Sequence, residues 1–224
     1  YRGDNFPEAY QGNSFICEPS GNFIRRNKHI ETGGNIIAEN AENGNEWMSS
    51  SDERFRPVNL YNGPSGGLYI VDMYRGIVQH RIYLTSYLRN QAESRGLEKG
   101  IDNGRIYRVV YKGQSTSSKK LAKASGDQLV SALSNDNGWV RDTAQRLLVE
   151  SKDDINADLA KVAKDGDHAL GRMHALWSLE GRAAISPDII LDALKDNNRA
   201  VRMSAARLAE PWLKVPGNEA ILDQ

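Results

Sequence analysis

The chain has 224 residues, 39% hydrophobic and 26% charged, with 29 Lys and Arg against 29 Asp and Glu. Such a composition reads as an ordinary soluble globular protein of one or two domains, and zero formal charge gives no support to bulk nucleic acid or an anionic membrane as partner. No apolar run approaches the ~20 residues of a bilayer span, and a single cysteine, Cys17, excludes an internal disulfide and a Cys-rich zinc site.

In chain order, strands are expected at 13–18, 22–28, 35–39, 56–61, 67–73 and 104–111, where β-branched and aromatic residues concentrate. Cys17 falls in the first of them and reads as a buried small hydrophobe. Pro19-Ser20-Gly21-Asn22 is a turn between the first two strands, and Gly63-Pro64-Ser65-Gly66-Gly67 marks a hairpin between the fourth and fifth. One helix is expected at about 80–95, with Tyr83, Leu84, Tyr87 and Leu88 on one face and Gly96 as its stop. Residues 113–120 read as a polar linker separating a β-rich part, 1–112, from a helical part, 121–224.

The helical part repeats itself. Trp139-Val140-Arg141-Asp142-Thr143-Ala144 aligns with Leu170-Gly171-Arg172-Met173-His174-Ala175 and with Ala200-Val201-Arg202-Met203-Ser204-Ala205, at spacings of 31 and 30 residues. This period predicts stacked helix pairs. Leu129, Val130 and Leu133 form one apolar face, and Val140, Ala144, Leu147 and Leu148 the next. Ser186 before Pro187 is a helix start. Trp139, Trp177 and Trp212 are expected as large fillers at repeat contacts.

The order of Tyr1-Arg2-Gly3-Asp4-Asn5-Phe6-Pro7, Tyr10-Gln11-Gly12-Asn13, Phe15-Ile16-Cys17-Glu18-Pro19, Arg54-Phe55-Arg56-Pro57, Gly63-Pro64-Ser65-Gly66-Gly67-Leu68-Tyr69 and Gly104-Arg105-Ile106-Tyr107-Arg108 resembles bacterial membrane-associated or periplasmic dehydrogenase-like proteins of the sorbosone/glucose quinoprotein type. The resemblance implies the last blades of a β-propeller with an inserted helix, followed by a HEAT-like α-solenoid. It makes this chain a C-terminal fragment, consistent with a start at Tyr1 rather than Met. It further implies a periplasmic or cell-envelope location and, in the full-length parent, oxidation of a sugar or polyol with pyrroloquinoline quinone and calcium. The remaining blades and a cytochrome c domain or protein are the implied partners. No nucleic acid and no membrane span are expected. The catalytic His and calcium ligands would lie outside this chain.

Carried over residue by residue, the resemblance makes Arg54 and Arg56 the cofactor-binding pair, since guanidinium groups grip carboxylates in a fork and stack on flat rings. The other reading is a structural pair. The turn after Phe15–Pro19 holds Ser20-Gly21-Asn22 where the resemblance implies a cofactor-contacting Lys. That departure favours the alternative function, a non-catalytic propeller-plus-HEAT scaffold that binds protein or glycan at the cell envelope. Asp72, Tyr74, Arg75 and His80 are further candidates because they leave a strand end, with His80 a base, a ligand or a hydrogen-bonded structural residue. Arg25-Arg26-Asn27-Lys28-His29 reads as a solvated strand end or an anion contact, and His174 as a helix-packing residue. Arg141, Arg172 and Arg202 read as a ladder onto carboxylates such as Asp142 and Asp196, or as a basic binding strip.

Overall fold

The structure, a computed structural model, describes all residues except Gln79, Thr116, Lys214 and 222–224. Thr116 of the expected linker therefore lies outside the described residues. Contacts divide the chain into two compact units, Tyr1–Ser117 and Ser118–Gln224.

The first unit holds two small antiparallel sheets. Strands β1 (Ser14–Glu18), β2 (Phe23–Thr32) and β3 (Asn35–Asn40) lie side by side, and β4 (Met48–Ser49) pairs with the start of β2. Strands β5 (Pro57–Asn62), β6 (Leu68–Asp72) and β7 (Arg105–Val109) form the second sheet in that order. Alternation on β6 turns Leu68, Ile70 and Asp72 inward. Ile70 meets Ile24 of β2 and Phe55, with Phe15, Trp47, Met48, Leu60 and Val109 around them. Partial burial raises the pKa of the half-buried Cys17 thiol on β1. The β5–β6 turn needs glycine at 66: its φ is +75°, and a Cβ there would lie 2.8 Å from the Asn5 amide nitrogen. Past Asn27, β2 and β3 run on as a bare two-stranded ribbon around Gly33-Gly34, exposed from Lys28 to Glu39. The second strand, expected over 22–28, runs on to Thr32.

Helix α1 (Ser86–Ser94) starts at Thr85, whose Oγ1 accepts from the Leu88 amide, and stops at Gly96 with φ +62°. It is shorter than the expected 80–95 because 81–83 form a separate 3₁₀ turn.

The second unit contains α2 (Gly126–Ala132), α3 (Gly138–Glu150), α4 (Asn156–Asp165), α5 (Ala169–Gly181), α6 (Pro187–Leu194) and α7 (Arg199–Ala209). Helices α3, α5 and α7 pack in series, and α2, α4 and α6 pack along them. One apolar core runs from Leu129 to Leu208. The recurring Ala144, Ala175 and Ala205 are fully buried within it, where a larger side chain would force the helices apart. Trp139, Trp177 and Trp212 are only half-buried.

Each recurring arginine closes the loop before its own helix. Arg141 donates to the carbonyls of Asn135 and Asp136, Arg172 to those of Gly166 and Asp167, and Arg202 to those of Asp196 and Asn197. Arg172 adds an ion pair, at 2.6 Å from Asp196.

The partial β-propeller with a HEAT-like α-solenoid is thereby corrected. Among the described residues, seven strands in two small sheets close no propeller, and with seven helices the fold is mixed α/β. The reason is physical. Hairpin turns fix which strands pair locally, but not how many share one sheet. Here β2 is long enough to pair with β1, β3 and β4, a fact its alternation does not reveal.

Candidate functional site

Arg54-Phe55-Arg56 leads into β5. Phe55 points into the core, so its neighbours point elsewhere. The Nη2 of Arg54 donates to the Gly96 carbonyl at 2.9 Å. Arg56 donates from Nε to the Arg75 carbonyl at 2.8 Å, from Nη2 to Gly76 at 2.8 Å, and from Nη1 to Pro19 and Ser20 at 2.6 and 3.2 Å. Partial burial lowers the pKa of the Arg56 guanidinium, against the pull of Glu53 and Asp72. Both arginines thus fasten the neck of an excursion that leaves the sheet at Gly76 and returns at Leu97. Glycine is required at 76, because a Cβ there would lie 2.4 Å from the Leu97 carbonyl oxygen.

Asp72 supports the neck from below. Its carboxylate is 1% exposed, and Oδ1 accepts from the amides of Arg56 and Tyr74, both at 2.8 Å. Tyr74 takes a left-handed φ of 49° to turn the chain, and the Arg105 guanidinium lies 3.5 Å from its ring centroid. Arg75 contributes its carbonyl to the neck and leaves its side chain exposed. His80 stands exposed before the 3₁₀ turn, its ring 6.2 Å from that of Tyr83. The structure therefore gathers Arg54, Arg56, Asp72 and the Arg75 backbone at the neck, places Tyr74 beside it and leaves His80 outside.

Above the neck lies a cleft of about 440 Å³. Val78, Leu84, Tyr87, Leu88 and Leu97 give it apolar walls, with Arg56 in one side. At its rim Arg95 pairs with Glu53 and donates to Gln91 Oε1 at 2.7 Å. Tyr87, at 71% exposed, and Leu88, at 50%, face solvent. Helical spacing places them on one face, and spacing alone does not separate a core face from an open one. The signal was present: an apolar face on a short helix with Gly on either side and no matching apolar run nearby.

The remaining titratable candidates are elsewhere. His29 is exposed on β2, its Nε2 3.0 Å from Ser14 Oγ. His174 is buried on α5, with Nδ1 2.6 Å from Gln145 Oε1. Among the described residues no three His, Cys, Asp or Glu side chains converge as a metal site.

The half of the chain that carries both sheets and the cleft, residues 1–113, matches the family described as Domain of unknown function (DUF7133). The chain belongs to this family. No curated protein and no solved structure matches it. Within the DUF7133 segment the two guanidinium groups that a quinone's carboxylates would need are turned onto backbone carbonyls, so the arrangement of Arg54 and Arg56 does not fit that group.

Proposed function

We propose that this chain is a non-catalytic protein-binding module, and that the cleft above the neck receives apolar side chains of its partner. One observation carries the reading: Arg54 and Arg56 act as internal fasteners, while Val78, Tyr87 and Leu88 stay exposed around a concave apolar wall. Exposed apolar side chains around a pocket, rimmed by polar groups such as Glu53, Gln91 and Arg95, are the ordinary make-up of a protein contact. Tyr87 is an amphipathic anchor of the kind that dominates such contacts.

The test places a photo-crosslinking amino acid at position 87 of the full chain, with position 61 as control. The expected result is one recurring protein captured from 87 and lost on Leu88→Asp, while the far-ultraviolet spectrum is unchanged. Saturable binding of pyrroloquinoline quinone with Ca²⁺ to the full chain, blocked by Leu88→Asp, would overturn the reading.

A further inference from the structure

Among the described residues, strand β7 is an outer strand of its sheet and pairs with β6 alone. The direction of its free hydrogen-bonding groups follows from the β5–β6 ladder. Gly63 N donates to Gly67 O and Met73 N to Arg56 O, so residues 67 and 73 face β5. Alternation then turns the backbones of Leu68, Ile70 and Asp72 toward β7, where they meet Val109, Tyr107 and Arg105. Ile106 and Arg108 are left with N–H and C=O pointing outward, and no described residue bonds to them there.

The side chains tell the same story. Arg105 to Arg108 are all exposed, and Ile106 is 71% exposed. On the outward face Ile106 stands beside Val71, and Arg108 beside Tyr69 and Tyr61. From Gly104 to Gly113 the segment holds Arg105, Arg108 and Lys112 and no carboxylate. Arg105 is occupied by the Tyr74 ring and the Tyr107 hydroxyl. Arg108 and Lys112 have no ion-pair partner among the described residues.

We propose that β7 accepts an added antiparallel strand from a protein partner, with a carboxylate opposite Arg108 and a β-branched residue two positions later opposite Ile106. The motif read by this edge is Glu-x-Val or its Asp and Ile equivalents. Main-chain bonds to Ile106 and Arg108 hold the strand, and the two side chains select it. A second copy of the same strand is a poor occupant. Pairing β7 with itself brings another Arg108 and no carboxylate, and unlike charges across strands stabilise where like charges destabilise. The edge lies apart from the cleft residues, so this proposal stands independently of the cleft reading.

The experiment titrates the ¹⁵N-labelled full chain with the acetylated peptide Ser-Thr-Glu-Thr-Val-Thr-Ser, and with its counterpart in which Lys replaces Glu. The expected result is shifts centred on the Ile106 and Arg108 amides with the Glu peptide. Arg108→Glu should weaken that peptide about tenfold and prefer the Lys peptide, since reversal exchanges an attractive cross-strand pair for a repulsive one. The spectrum of the variant itself reports that the fold is intact. No shift on β7 at millimolar peptide would overturn the proposal. So would unchanged affinity in Arg108→Glu, or a concentration-dependent dimer in sedimentation whose contact maps to β7.

Discussion

Replacing Arg56 by Ala removes one side chain and leaves four carbonyls, of Pro19, Ser20, Arg75 and Gly76, without their donor. The bonds to Pro19 and Gly76 are partly buried, and the other two are exposed, where water substitutes at little cost. Hydrogen bonds from a charged donor contribute roughly 1.5–3 kcal/mol each when buried. Discounting for partial exposure leaves about 2–3 kcal/mol for the neck as a whole. That corresponds to an opening equilibrium raised about 50-fold. Global unfolding is a poor readout, since two units need not melt together. Hydrogen exchange followed by mass spectrometry resolves the question, with faster exchange expected in peptides covering 76–97 and little change in α2 to α7. Arg56→Lys should recover less than half of the protection, because one ammonium cannot reach four carbonyls in the geometry of a planar fork. Unchanged protection at 76–97 in Arg56→Ala, or full protection in Arg56→Lys, would refute the fastening role.

Other outcomes follow from the same reasoning. The hydrogen-bonded Arg172 holds the Asp196 carboxyl below its ordinary range, so its stabilisation is present above the unfolded carboxylate pKa and is lost as pH falls through the depressed value. Asp196→Asn should cost about 3 kcal/mol near neutral pH and flatten that acid limb in melts of the helical unit followed by Trp177 fluorescence. Ala175→Leu forces a larger side chain into a fully buried contact and should cost at least about 2 kcal/mol by urea unfolding; a neutral result would mean the helices separate freely. Gly66→Ala combines a φ of +75° with a close approach to the Asp4–Asn5 segment. It should destabilise the β-rich unit by more than about 1 kcal/mol, read from near-ultraviolet circular dichroism on melting.

How much of this was legible in the residues varied with the kind of contact. Pro19-Ser20-Gly21-Asn22 and Gly63–Gly67 announced their turns, because turn chemistry is local. Gly33-Gly34 is not marked as a turn by its flanks: from Lys28 to Glu39 the ribbon is exposed on both faces, so Lys28–Thr32 shows none of the apolar alternation that marks a strand. The arginines of the helical repeat were visible by spacing, but their acceptors are carbonyls five and six residues back, which every residue possesses and no sequence displays. Arg54 and Arg56 carried the same ambiguity. A guanidinium suits a carboxylate ligand and a cluster of carbonyls equally well, and only the fold shows which one it meets. The sheet architecture lay furthest from view, since it depends on β2 extending well past its core pairing.

The neck also separates two lengths of chain that would otherwise have to evolve together. Gly76 touches Leu97, so the excursion begins and ends at nearly the same point in space. Doubling a loop with fixed ends costs only about 0.6 kcal/mol in closure entropy. The segment from 77 to 95 is thus a cassette: a foreign peptide spliced there should leave both sheets unaltered as long as Arg54, Arg56 and Gly76 remain.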